Sequence, residues 1–171
     1  MIVAIAIDTF CDSTDGSLKL RDGAKEFFEL ATARNVKLLV LVDVGTAKGK
    51  GSTQTLKFWK TRLTGLIPEA VKKISFIGYR TGELASQIKG NNIYLCVVGN
   101  RTDIEQVRGM VRTLIYDNEE NHIPEFRTYE RAYNMWGVTE TLRSMFRKVD
   151  RENIRNKRMK RELRKAGNPR Q

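Results

Sequence analysis

Four apolar runs in this chain each stop at a polar side chain able to do chemistry. The run Met1-Ile2-Val3-Ala4-Ile5-Ala6-Ile7 stops at Asp8, Val36–Val42 at Asp43, Ile74–Tyr79 at Arg80, and Ile93–Val98 at Gly99-Asn100. A carboxylate can attack phosphorus or hold a hard cation, and a guanidinium can clamp a phosphoryl group. On these residue types Asp8, Asp43 and Arg80 are the candidate catalytic groups. Asp8, Asn100 and Asp103 are the candidate metal ligands, and Mg²⁺ is the cation their hard oxygens suit. Strand-end aspartates also act as plain caps and turn formers, and Asp103, at a predicted helix start, is explained by capping alone. Asp8 is harder to dismiss, because nothing structural requires a charge straight after a buried strand.

Two further stretches could hold an anion. The loop Gly45-Thr46-Ala47-Lys48-Gly49-Lys50-Gly51-Ser52-Thr53 offers Lys48, Lys50 and Ser52 as phosphate-binding groups. It is not a Walker loop, which needs four residues between its glycines and Ser or Thr directly after the lysine. A flexible basic loop or a solvated turn remain the alternatives. The second stretch is C-terminal. From Arg143 to Gln171 there are twelve Lys/Arg against three Asp/Glu, a net of +9 in a chain of +11. The rest of the chain is thus almost neutral. Arg147, Lys148, Arg151, Arg155, Lys157, Arg158, Lys160, Arg161, Arg164 and Lys165 are the candidate nucleic-acid contacts, because such asymmetry points to a polyanionic partner. That partner is RNA, DNA or an acidic protein surface. Phe58, Trp59 and Lys60, and Tyr133 with Trp136, mix aromatic and basic character; core packing is the first expectation for them and base stacking the second.

The elements that would position these groups follow from periodicity. Continuous β-branched runs read as strands buried on both faces of a parallel sheet. If the four are parallel, their polar ends converge on one rim, where open α/β sheets bind ligands. Thr113–Tyr116 reads as a fifth strand, and Thr9–Arg21 and Asp117–Tyr133 read as loops. Asp22 is placed to cap a helix with Ala24, Phe27, Phe28 and Ala31 inward. A short helix is predicted around Leu56–Leu63, and a further turn opens at Pro68. Another helix follows near Gly82–Ile88. Thr102 or Asp103 is placed to cap the helix bearing Ile104, Val107 and Val111. Thr139 is placed to cap a last helix with Leu142, Met145, Phe146 and Val149 inward. Beyond Val149 no core-facing stripe continues, so 1–149 reads as one α/β domain. Residues 150–171 read as a basic tail, helical or disordered alone, that Gly167-Asn168-Pro169 ends. Strand–helix alternation predicts a three-layer α/β sandwich with a mainly parallel sheet.

Composition excludes several classes. At 171 residues the chain has room for one core. A single histidine, His122, argues against a His-based triad or a multi-histidine zinc site. Cys11 and Cys96 show no metal or redox spacing and read as free thiols of a reducing, cytoplasmic protein. No signal peptide, membrane span or lipidation motif is visible, which predicts no membrane partner.

Assembled, these residues resemble the haloacid-dehalogenase-like hydrolase superfamily over roughly Met1–Val149. Its first motif is a strand ending in a nucleophilic Asp, followed by Gly-Thr-Leu and a helix; Ile5-Ala6-Ile7-Asp8 leads here to Asp15-Gly16-Ser17-Leu18. Leu20-Arg21-Asp22-Gly23-Ala24-Lys25-Glu26-Phe27-Phe28 looks like the family's first helix, and Val97-Val98-Gly99-Asn100-Arg101-Thr102-Asp103-Ile104 stands where its last motif falls. The nearest in style is the 3′-phosphatase domain of phage polynucleotide kinases. The resemblance implies a Rossmann-like sheet, here with no large cap domain, and Mg²⁺ as cofactor if the site is active. The chain departs from the family's phosphatases at four places. The acid two residues after the nucleophile is Phe10, and the Ser/Thr of the second motif is Asp43. The lysine of the third is matched only by Arg80 or Lys89, and the acid of the last is Asn100. Asp followed two on by an aromatic is closer to the metal-free dehalogenase branch, whose large cap this chain has no room for.

The leading functional expectation is therefore a nucleic-acid-associated binding protein on this fold, with a degraded or repurposed catalytic rim. The alternatives are an active Mg²⁺-dependent phosphohydrolase of nucleic-acid ends or nucleotides using Asp8, and a PIN- or NYN-type ribonuclease.

Overall fold

The computed structural model describes residues 1–12, 17–45, 49–116, 130–132 and 134–166. Its centre is a six-stranded sheet in the order β5-β4-β1-β6-β7-β8, with every neighbouring pair parallel. The strands are β1 (Ile2–Ala6), β4 (Lys37–Asp43), β5 (Ile74–Tyr79), β6 (Leu95–Val98), β7 (Thr113–Tyr116) and β8 (Glu130–Ala132). β1 lies between β4 and β6, pairing Ile5 with Val40 on one side and with Val97 on the other. That central place explains its uninterrupted apolar sequence: a strand covered on both faces has no solvent side to mark with polar residues. Ala4, Ala6, Leu39, Leu41, Cys96, Val98 and Ile115 supply one face of the core, met by Leu84, Ile88, Ile104 and Val107. Val3, Ile5, Val40, Val42, Val97 and Leu114, alternate in register, are buried on the other face.

The helices are α1 (Ile7–Phe10), α2 (Ala24–Ala33), α3 (Lys50–Leu66), α4 (Pro68–Val71), α5 (Leu84–Lys89), α6 (Arg101–Val107) and α7 (Met135–Ala166). α2 buries Ala24, Phe27, Phe28 and Ala31, the positions its periodicity predicts. Phe28 packs edge-on against Phe10 with ring centroids 5.0 Å apart.

Several local expectations are corrected. The loop predicted after Asp8 contains the single turn α1 and an antiparallel hairpin of β2 (Cys11–Asp12) and β3 (Lys19–Leu20). Asp22 does not cap α2; Gly23 holds that position at φ +83°, a left-handed conformation natural to glycine. Asn100, not Thr102 or Asp103, caps α6, its side chain accepting from the Asp103 backbone N–H. Thr139 lies inside α7, where its hydroxyl donates to the Met135 carbonyl at 2.8 Å. α3 is twice the predicted length, because its exposed polar faces carry no apolar period to announce them. Part of the predicted loop 117–133 is β8, a sheet-edge strand paired through its backbone, which its Glu-Arg-Ala sequence does not signal.

Cys11 and Cys96 are both free and buried. Burial pushes the Cys11 thiol up to about 12 and raises Cys96 as well, so neither is poised to ionise. No helix among the described residues is long and apolar enough to cross a membrane. Contacts divide the chain into Met1–Thr139 and Glu140–Gln171, with α7 running across the division. The predicted terminator Gly167-Asn168-Pro169 lies outside the described residues.

Candidate functional site

The parallel sheet brings the C-terminal ends of β1, β4, β5 and β6 to one rim. Asp8 stands there because α1 turns the chain immediately after β1. The Thr9 hydroxyl donates to the Ala6 carbonyl at 2.6 Å, and Thr9 and Phe10 are both buried. Anchoring its neighbours inward leaves Asp8 exposed at the rim. A Cβ at Gly99 would lie 3.3 Å from Thr9 Cγ2 and 3.7 Å from Asp8 Oδ2, so glycine there lets the end of β6 approach the carboxylate. The protein crowded around Asp8 holds its carboxyl above the ordinary aspartate range, and the Asp43 charge pushes the same way. The Asn100 side-chain hydrogen bond and the Arg21 guanidinium oppose that rise.

Arg21 is the rim cation that sequence reasoning missed. It follows β3, and the hairpin returns it over Asp8, where its Nε donates to the Asp8 carbonyl at 3.3 Å. Its guanidinium also lies 5.3 Å from the Tyr116 ring centroid and 3.8 Å from Asp12 Oδ2. Nothing local in Leu20-Arg21-Asp22 announces this, because the hairpin alone makes residues 8 and 21 neighbours. Arg80, the guanidinium predicted for the role, sits at the end of β5 and pairs with Glu83 at 3.7 Å.

Asp43 ends β4 opposite Tyr79 in register. Thr81 Oγ1 donates to its carboxylate, 2.9 Å from either oxygen, and the Gly45 N–H donates to Oδ1 at 2.7 Å. It therefore clasps the loop after β5 to the loop after β4. Of the predicted phosphate ligands, Lys50 is exposed at the start of α3 and Ser52 half-buried in its first turn. Lys48 lies outside the described residues.

Asp103 is 1% exposed. The Tyr79 hydroxyl and Asn100 Nδ2, the latter at 2.6 Å, both donate to its Oδ2. Asn100 Oδ1 is in turn held by the Asp103 N–H at 2.8 Å. Burial raises the Tyr79 phenol and Asp103 adds to that rise, so the phenol is the donor. The carboxyl of Asp103 is itself raised, by burial first, against the two hydrogen bonds. Buried polar groups of this kind are satisfied by one another.

This network bears directly on the Mg²⁺ that the resemblance implies. Asn100 has its oxygen engaged, Asp103 is enclosed with two donors on one oxygen, and Asp8 alone faces the open rim. The trio Asp8, Asn100 and Asp103 does not fit a divalent cation as arranged. Among the described residues no group of three or more His, Cys, Asp or Glu side chains is placed to hold a metal.

Asp8 and Asp103 both titrate above the unfolded aspartate value of about 3.9. The folded chain thus binds these protons more tightly than the unfolded one. Their stabilising contribution is fully present below the unfolded value and is lost as pH rises through the folded values. The urea midpoint is expected to rise as pH falls from about 7 toward about 5, with Asp103→Asn flattening that slope. A midpoint unchanged by Asp103→Asn at both pH values would show that the enclosed carboxyl carries none of the effect.

The aromatic residues depart from the core expectation. Phe58 is 52% and Trp136 48% exposed, Trp59 is half-buried, and Tyr133 lies outside the described residues. The basic segment is one uninterrupted helix through Ala166. Of its candidate contacts, Arg147, Lys148, Arg151, Arg155, Lys157, Arg158, Lys160, Arg161 and Arg164 are all exposed; Lys165 lies within the helical span. Ile154, Met159 and Leu163 are exposed too, and so is Val149, which the sequence places inward.

No family model matches the sequence, and no curated protein does. Solved structures share the fold. An uncharacterized protein from Listeria monocytogenes serotype 4b matches with TM-score 0.57 at 14% identity, over 85% of this chain and 98% of that one. D,D-heptose 1.7-bisphosphate phosphatase from B. bronchiseptica, solved with magnesium and phosphate, matches with TM-score 0.59 at 7% identity, over 84% of this chain and 98% of that one. The fold is thus α/β and Rossmann-like, shared with these two structures. Neither likeness extends to the phage polynucleotide kinase phosphatases in particular.

Proposed function

We propose that the protein is a nucleic-acid-associated binding protein, built on a phosphatase-like fold whose catalytic rim is degraded or repurposed. The observation that carries this is the form of α7. Arg147, Arg151, Arg155, Arg158 and Arg161 recur at three- and four-residue spacing, which gathers them on one face of a continuous helix. At 1.5 Å per residue that face is about 21 Å long, some two thirds of one turn of a duplex. Asn156 and Leu163 fall on the opposite face, and Ile154 and Met159 border the cations. A row of cations on a helix suits a phosphate backbone, and its binding is expected to weaken steeply with salt.

The rim supports the non-catalytic half of the proposal. Phosphate-ester cleavage by Asp8 would make an aspartyl phosphate and release an alkoxide that needs a proton. The position two residues on, where the family keeps its acid, is Phe10, buried against Phe28. Loss of a general acid typically slows such a step by ~10²–10⁴-fold. Asp43 is occupied as a loop clasp, and its charge repels a phosphate. The expected result is that a chain ending before Arg151 loses most of its affinity for duplex oligonucleotides, whereas Asp8→Asn binds like wild type. An acidic protein partner would instead leave oligonucleotide binding absent from the wild type.

An active phosphohydrolase is the second proposal. It is favoured by Asp8, exposed at the rim beside Asn100 and Arg21, and by the phosphatase that shares the fold. Phosphate release from an aryl phosphate and from a 3′-phosphorylated oligonucleotide, with Mg²⁺ present, separates the two. No release above the Asp8→Asn background is expected. Release that needs both Mg²⁺ and Asp8 would overturn the binding-protein assignment. A ribonuclease of the PIN or NYN type needs clustered acids, and the described residues supply no such cluster.

A further inference from the structure

α3 is an unusual helix for its length. Of its seventeen residues only Leu63 is buried. From Val44 to Pro68 the chain holds five Lys/Arg and no Asp or Glu, although acids are scattered through the rest of the sequence. Lys50, Gln54, Lys57, Phe58, Thr61 and Arg62 are all exposed, and their spacing places them on one face. Most of them border a shallow hollow of about 340 Å³, lined by Gln54, Lys57, Phe58, Thr61 and Arg62. At its centre is Phe58, 52% exposed, with Trp59 edge-on at 5.5 Å and the Arg62 guanidinium 5.4 Å from its ring centroid. An aromatic ring left in water on a polar helix has no packing reason to be there. The i,i+4 cation beside it holds the ring in place and supplies a charge next to its face.

We infer that the exposed face of α3 is a platform for single-stranded nucleic acid, with a base stacked on Phe58 and phosphates held by Lys57 and Arg62. A polyanion is the partner because the face is cationic without a single acid to repel it. A single strand is favoured over a duplex because a ring can stack only on a base whose face is uncovered, and paired bases are covered on both sides. Gln54 and Thr61 add donors and acceptors beside the ring. This surface lies wholly within the first unit, on a different element from α7. The inference deepens the nucleic-acid proposal by adding a second surface and naming the strand form it takes, and it can stand or fall separately from the α7 surface.

The test is fluorescence anisotropy on the full chain, with labelled oligothymidylate and oligouridylate of about a dozen nucleotides and a duplex of similar length. Phe58→Ala is expected to lower single-strand affinity by about tenfold while leaving duplex affinity within about twofold. Phe58→Tyr, which keeps the stacking face, is expected to restore it. The ring is exposed, so these changes should leave the melting temperature in place, and a thermal melt checks that. Single-strand affinity unchanged in Phe58→Ala, or not restored by Tyr, overturns the platform. A parallel variant with Arg147, Arg151, Arg155 and Arg158 all changed to Gln keeps the two proposals apart. Loss in that variant with none in Phe58→Ala leaves α7 as the binding surface and removes α3. Loss in Phe58→Ala with none in the α7 variant upholds the platform and removes the α7 proposal.

Discussion

Changing Arg147, Arg151, Arg155 and Arg158 together to Gln is expected to weaken oligonucleotide binding on the order of a thousandfold at about 0.1 M salt, and to make the salt dependence nearly four units shallower. The magnitude follows from counterion release. Each neutralised phosphate contributes about 0.9 to the slope of log affinity against log salt, and at about 0.1 M each such contact is therefore worth almost a factor of ten. The four residues are exposed and belong to one helical face, so all of them can meet one strand's phosphates without unfolding anything. Exposed ion pairs contribute little to stability. The helix should survive, because Gln is nearly as good a helix former as Arg. Circular dichroism of the variant checks that, and anisotropy across a salt series measures the slope. An unchanged slope would remove α7 from the interface.

The largest stability effect is expected at Gly23. Its φ of +83° already disfavours any other residue. A Cβ there would in addition lie 2.8 Å from the Trp136 backbone nitrogen and within 3.0 Å of two indole carbons. The nitrogen belongs to the first turn of α7, so it cannot swing aside as a flexible side-chain tip would. Left-handed strain contributes about 1 kcal/mol and the overlap about 1–3 kcal/mol more, giving a loss of about 2–4 kcal/mol for Gly23→Ala. For a chain of this size that lowers the melting temperature by about 5–15 °C. Gly109 is the internal control. It has φ +72° and nothing within 4 Å of the added Cβ, so Gly109→Ala should show the conformational part alone. Equal losses at the two positions would mean that the close approach of Trp136 to Gly23 contributes nothing. Gly23 also lies two residues after Arg21, so the same substitution disturbs the segment that carries the rim cation.

The strands were legible because burial on both faces leaves a continuous aliphatic run, and a sharp polar stop marks where each reaches the rim. Asp8, Asp43 and Asn100 could be placed at that rim for this reason alone. β8 was not legible, since an edge strand pairs through its backbone and Glu-Arg-Ala carries no burial pattern. The extent of α3 was missed for a related reason: a helix with one buried residue has no apolar period. Its lack of acids was visible in the sequence throughout and was the signal that could have identified it as a surface.

The amino-acid sequence alone determined that the sheet is mainly parallel, the position of Asp8 at a strand end, the absence of an acid two residues later and the concentration of charge at the C-terminus. These are properties of composition and short-range spacing, which a chain carries before it folds. Only the tertiary structure decided which polar groups meet. The hairpin brings Arg21 back to Asp8, the strand register sets Tyr79 level with Asp43, and the cap of α6 turns Asn100 and Asp103 toward each other. It also decided that Asp103 is enclosed while Phe58 is exposed. Whether a side chain is solvated or hydrogen-bonded depends on neighbours distant in sequence, and no local pattern encodes them.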